Sequence, residues 1–129
     1  VQYAHSCLII HRDIKPENIL ITREGTPRLL DFGLARVLAG EQREPQTTGA
    51  FLMTPAYASP EQIGGRAMTT STDLYSLGAV LYRLLTGAPP HRLEGLSPLE
   101  AASVICNSEV APPSAAGGTV VPAGELAGD

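Results

Sequence analysis

The run His11-Arg12-Asp13-Ile14-Lys15-Pro16-Glu17-Asn18, with Asp31-Phe32-Gly33 a short way downstream, holds the residue types that phosphoryl transfer needs. That reaction asks for a carboxylate within reach of the attacking hydroxyl, for oxygen ligands to Mg²⁺ and for positive charge beside the transferred group. Asp13 is the candidate base, taking or orienting the hydroxyl proton. Lys15, the only lysine in the chain, is a point charge suited to steadying the phosphoryl group. Asn18 offers a neutral carbonyl oxygen and Asp31 a carboxylate, so both are candidate metal ligands. Either segment alone could arise by chance. Their order, and the apolar runs Ile19-Leu20-Ile21 and Arg28-Leu29-Leu30 between them, leave little room for coincidence.

Such side chains need a rigid support, and the flanking residues supply one. Cys7 to Ile10 and Asn18 to Thr22 read as short strands around the loop, and Glu24-Gly25-Thr26-Pro27 as a turn. Arg28-Leu29-Leu30 then leads into Asp31, giving a hairpin-like platform. Residues 34–51 are polar, with Gly40, Pro45 and Gly49 and no clear period, which predicts a loop. Leu74, Leu77, Leu81, Leu84 and Leu85 fall at helical spacing and predict a helix over Thr72–Thr86, stopped by Gly87 and Pro89-Pro90. Being apolar nearly all round, that helix is expected to be buried. Asp73 near its start is then a costly carboxylate unless it is hydrogen-bonded. Ser97-Pro98-Leu99-Glu100 is a capping box with Pro at the first helical position, opening a helix to about Asn107. Beyond Pro112 the composition predicts loop.

The bulk properties exclude more than they assert. A formal charge of −4 over 129 residues argues against nucleic acid or an anionic membrane surface as the main partner. Cys7 and Cys106 are isolated, with no C-x-x-C and no disulfide framework. No apolar run approaches transmembrane length, and no signal peptide is visible. His5 and His91 have no metal-ligand spacing to each other or to the cysteines, so a zinc site is not expected.

The two motifs, together with Met53-Thr54-Pro55-Ala56-Tyr57-Ala58-Ser59-Pro60-Glu61-Gln62 and Asp73-Leu74-Tyr75-Ser76-Leu77-Gly78, resemble the eukaryotic-like protein kinases. Lys15 and the Ser59-Pro60-Glu61 form of the family's A-P-E point within them to bacterial serine/threonine kinases. The resemblance runs from Val1 to about Ser114. It implies an α+β, protein-kinase-like fold in truncated form: a mainly helical C-terminal lobe with short β-hairpins around the catalytic loop. Residues 1–114 are expected to be a partial catalytic domain, from the end of helix E through the catalytic loop and activation segment to helices F and G. Residues 115–129 are expected to lead toward further helices. The Gly-rich loop, the V-A-I-K lysine and its glutamate partner do not occur in these residues. The 129 residues alone are therefore expected to be nearly inactive and marginally folded, with apolar surface exposed where the rest of the domain would pack.

The same resemblance implies a role for each matching residue. Asp13 and Lys15 are catalytic; Asn18 and Asp31 hold Mg²⁺; Leu20 packs beneath the adenine of ATP. His11 packs under Phe32, and Gly33 completes the hinge. Arg12 pairs with a phosphate on the activation loop, where Thr48 is the first choice of phosphosite and Thr47 the second. Thr54 positions substrate by bonding Asp13 and Lys15, while Met53 departs from the glycine many kinases have there. Glu61 pairs with a downstream arginine, and Asp73 accepts bonds from the catalytic-loop backbone. The implied activity is an ATP-dependent serine/threonine protein kinase, regulated by activation-loop phosphorylation and acting on protein Ser/Thr hydroxyls. A kinase homodimer for trans-autophosphorylation and a cytoplasmic kinase domain are expected, with a membrane anchor on the parent protein left open. The alternative is a pseudokinase or non-catalytic interaction module. Pseudokinases usually lose Asp13, Asn18 or Asp31, and this chain keeps all three.

Overall fold

A computed structural model describes residues 1–7, 9–30, 36–37 and 54–116, and these hold two short antiparallel strand pairs and four α-helices. Helix α1 (Gln2–Ser6) leads into β1 (Ile9–Ile10), as the sequence predicts. Strands β2 (Ile19–Ile21) and β3 (Pro27–Leu29) form the expected hairpin, with Ile19 opposite Leu29 and Leu20 opposite Arg28. Its turn is closed by Thr22 N–H to Thr26 O and Gly25 N–H to Thr22 O, both 3.0 Å. Gly25 sits at φ 79°, a left-handed conformation that glycine adopts without steric cost.

One expectation fails in the segment read as loop. Within residues 34–51, Arg36–Val37 form β4 and pair antiparallel with β1, Ile9 opposite Val37 and Ile10 opposite Arg36. A strand this short has no period to detect, and its hydrogen bonds come from a distant partner strand. The rest of that segment lies outside the described residues.

Helix α2 (Pro60–Ile63) begins at a capping box: Ser59 Oγ accepts from Gln62 N–H at 3.3 Å, and Gln62 Oε1 accepts from Ser59 N–H at 3.0 Å. Helix α3 (Thr70–Thr86) is capped by Thr69 and Thr72 at its start. It ends at Gly87, whose φ of 77° lets its N–H reach Arg83 O at 2.8 Å. Helix α4 (Pro98–Asn107) carries the capping box read from the sequence. There the Ser97 hydroxyl and N–H hold the Glu100 carboxyl below its usual pKa. No helix among the described residues is long and apolar enough to cross a membrane.

Helix α3 is the central support, but it is buried on one side only, where burial nearly all round was expected. Its buried positions are Thr72, Asp73, Ser76, Ala79, Val80 and Thr86. Leu74, Leu77, Leu81 and Leu84 lie on the opposite side, 57%, 40%, 54% and 66% exposed. Polar bonds decide the orientation. Ser76 Oγ donates to Tyr57 O at 2.8 Å, Thr72 Oγ1 donates to Glu61 Oε1 at 2.8 Å, and Asp73 faces the loop after β1. Those bonds fix one face inward, and the leucines, half a turn away, face out. The small apolar cluster that remains is Ile14, Tyr57, Ala79 and Val80, with Ile19, Leu29 and Ala56 packed against it.

Candidate active site

The loop between β1 and β2 alternates anchored and presented side chains. Ile10, His11 and Ile14 are buried at 0%, 1% and 1% exposure. Asp13 and Lys15, between and beside them, keep partly accessible side chains. Ile14 enters the apolar cluster with Tyr57 and Val80, so an aliphatic residue there pins the middle of the loop to α3. His11 is held at both ring nitrogens: Asp13 N–H donates to Nδ1 at 3.3 Å, and Nε2 lies 3.0 Å from Leu30 O. With Nδ1 accepting, Nε2 is the nitrogen placed to donate to the Leu30 carbonyl.

Asp73 ties the loop backbone down from below. Its Oδ2 accepts from His11 N–H and its Oδ1 from Arg12 N–H, each at 2.8 Å, with the carboxylate only 1% exposed. A third contact was not read from the sequence: His5 Nε2 lies 2.8 Å from Asp73 Oδ2. Nothing in the spacing of His5 signals it, because the partner is 68 residues away. Arg12 is the one non-glycine described residue with positive φ, at 71°.

The functional atoms converge on Asp13. Its Oδ2 accepts from Lys15 Nζ at 3.0 Å and from Asn18 Nδ2 at 3.0 Å, and neither contact uses Oδ1. Asn18 Nδ2 also donates to Asp13 O at 2.8 Å, while Asn18 O receives Leu30 N–H at 2.7 Å. Pro16–Asn18 form a single 3-10 turn that begins after extended Lys15, which brings Lys15 and Asn18 to the same carboxylate. Both side-chain bonds of Asn18 use its nitrogen, leaving its Oδ1 as a neutral oxygen donor.

A small cleft opens beside this loop, lined by Arg12, Asp13, Lys15, Thr54, Tyr57 and Gln62 among others. Thr54 thus stands near Asp13 and Lys15, but among the described residues no hydrogen bond joins its hydroxyl to either. The Oδ2 of Asp13 is already shared by Lys15 and Asn18. Tyr57 is fixed by Arg83 Nη1, which donates to its hydroxyl at 2.8 Å. Glu61 takes the Thr72 hydroxyl. Leu20, on β2, is 54% exposed. Asp31, Phe32, Gly33, Thr47 and Thr48 lie outside the described residues.

Gln62 is a second residue whose part went unread. Besides capping α2, its Nε2 donates to Arg12 O at 2.7 Å. The pattern Ser59-Pro60-Glu61-Gln62 is itself a capping-box signature, so half of that role was there to be found.

The oxygen donors present suit a hard divalent cation, which prefers carboxylate and carbonyl oxygen. Asn18 Oδ1, turned away from Asp13 by the two bonds of its nitrogen, is the donor that the described residues supply.

Comparison with known proteins gives the family. The protein kinase domain profile matches residues 1–110, and the chain belongs to that family, within the eukaryotic-like kinase superfamily. Among curated relatives, the serine/threonine-protein kinase PknB of Mycolicibacterium smegmatis is 40% identical over 122 residues, covering 95% of this chain and 19% of that protein. PknB of Mycobacterium tuberculosis is 41% identical over 115 residues, covering 89% of this chain and 18% of the relative. A probable serine/threonine-protein kinase of Corynebacterium efficiens is 42% identical over 114 residues, or 88% of this chain and 17% of its own. The chain thus spans less than a fifth of the length of these relatives.

Proposed function

We propose that the protein transfers the γ-phosphoryl group of ATP to Ser or Thr hydroxyls of protein substrates. The observation that carries this reading is the division of labour on Asp13. Oδ2 is held by Lys15 and Asn18, each at 3.0 Å, so the carboxylate cannot rotate, while Oδ1 is left to accept a hydroxyl proton. The attacking oxygen gains nucleophilicity as its proton moves toward Oδ1, and the bond to the leaving ADP breaks on the far side of phosphorus. Lys15 lies next to that position and holds the transferred group as a point charge. Mg²⁺, when held by Asn18 Oδ1 and Asp31, neutralises phosphate charge. Leu20 offers an exposed apolar surface for the adenine, and Thr54 borders the substrate side of the cleft.

Activation-loop phosphorylation at Thr48 or Thr47, read out by Arg12 and carried out in trans within a homodimer, belongs to the same proposal. So does weak activity of these 129 residues on their own. Autophosphorylation of the full-length protein with Mg-ATP tests the reading. Phosphate should appear on Thr47 or Thr48, and Asp13→Asn should cut the rate by about 10²–10⁴-fold. Incorporation unaffected by Asp13→Asn would sink it. The same assay on the 129-residue polypeptide should show almost no transfer.

A further inference from the structure

We propose that Gln62 is a positioning residue for phosphoryl transfer, holding Asp13 in place through the carbonyl of Arg12; this rests on the reading of Asp13 given above. Arg12 occupies the left-handed region at φ 71°, which a non-glycine residue keeps only when its surroundings over-determine it. Two side chains from distant elements do so. Asp73 of α3 accepts the Arg12 N–H at 2.8 Å, and Gln62 of α2 donates to the Arg12 carbonyl at 2.7 Å. Both polar groups of the strained residue are therefore fixed, and the next residue is the base. Rotation of the Arg12–Asp13 peptide would carry the Asp13 carboxylate away from Lys15 and Asn18.

The orientation of the Gln62 amide is chemically forced. Ser59 N–H can only donate, so it must meet Oε1, and Arg12 C=O can only accept, so it must meet Nε2. The two ends of one amide thus join the start of α2 to the catalytic loop. Gln62 also borders the cleft with Thr54 and Tyr57, so its amide is a polar link between the segment running into α2 and the base.

The two ends can be separated by substitution. In Gln62→Glu the carboxylate still accepts from Ser59 N–H, but it has no hydrogen to give Arg12 O. Gln62→Met loses both bonds. In the full-length protein, Gln62→Glu sets a carboxylate oxygen against Arg12 O, so it should lower the thermal midpoint yet stay folded at assay temperature, keep KM for ATP and lower kcat by about tenfold or more, since small misplacements of reacting groups are costly. Gln62→Met should lower both kcat and the thermal midpoint. A kcat for Gln62→Glu within about twofold of wild type, measured well below its thermal midpoint, would overturn the proposal. Amide exchange decides the positioning role independently of activity. The His11, Arg12 and Asp13 amides should exchange faster in Gln62→Glu, while those of Ile63 and Gly64, bonded to Ser59 O and Pro60 O, stay protected. Unchanged exchange at residues 11–13 would overturn it. If wild type transferred no phosphate while exchange at residues 11–13 rose as expected, the kinase reading would fail and the link between Gln62 and the loop would stand.

Discussion

The two sides of α3 reverse what composition leads one to expect of a helix. The buried side carries Thr72, Asp73 and Ser76, and the leucines at 74, 77, 81 and 84 face outward. The inward side is specified by hydrogen bonds, each with one geometry; the outward side has only apolar area, which fits many neighbours. A helix that supports a catalytic loop is oriented by the groups that cannot be left unpaired.

Breaking the polar side should have the largest effect. Asp73→Ala would strand the His11 and Arg12 N–H groups in a buried site, and should cost about 3 kcal/mol or more, read by denaturant or thermal unfolding of the full-length protein. A loss near zero would mean that Asp73 does not set the orientation of α3.

A second test contrasts two ways of burying a titratable side chain. Asp73 is met by donors, whereas burial pushes the pKa of His91 below its ordinary 6.5, which favours the neutral ring. Below about pH 6.5 the unfolded chain takes up a proton that folded His91 resists, so stability present above that pH is lost as pH falls toward the lowered folded value. Thermal midpoints at about pH 7.5 and about pH 5.5 should therefore differ less in His91→Leu than in wild type. Equal differences would show that His91 does not contribute.

The smallest effect is expected on the leucine side. Leu84→Gln, at a position 66% exposed, should shift the stability of these 129 residues by no more than about 0.5 kcal/mol. A loss of several kcal/mol on the same substitution in the full-length protein would place a covering segment over that side.

These contrasts also mark what was legible beforehand. The β2–β3 hairpin, the Gly87 stop and the Ser97 capping box are local, set by residues within a few positions of each other, and each stands where the spacing puts it. The contact of Lys15 and Asn18 with Asp13 is equally local, spanning a few residues of one turn. The bond of Asp73 to the loop backbone was expected from the family resemblance, and it stands. What could not be read is otherwise long-range. The Arg36–Val37 pairing, the His5 contact to Asp73 and the Gln62 contact to Arg12 all depend on partners far along the chain. Periodicity records where apolar residues recur; it carries no record of which distant carbonyl a given amide will meet.

The order of the chain gives one of these contacts a meaning in time. His11 to Asn18 leave the ribosome first, and the carboxylate that shapes their backbone follows 61 residues after Arg12. At about 5–20 residues per second, translation leaves roughly 3–12 s in which the reactive side chains exist without the scaffold that aligns them. A nascent chain interrupted before Asp73 would carry every residue of that loop without the carboxylate that fixes the His11 and Arg12 amides. The loop's order thus waits on a residue synthesised well after it.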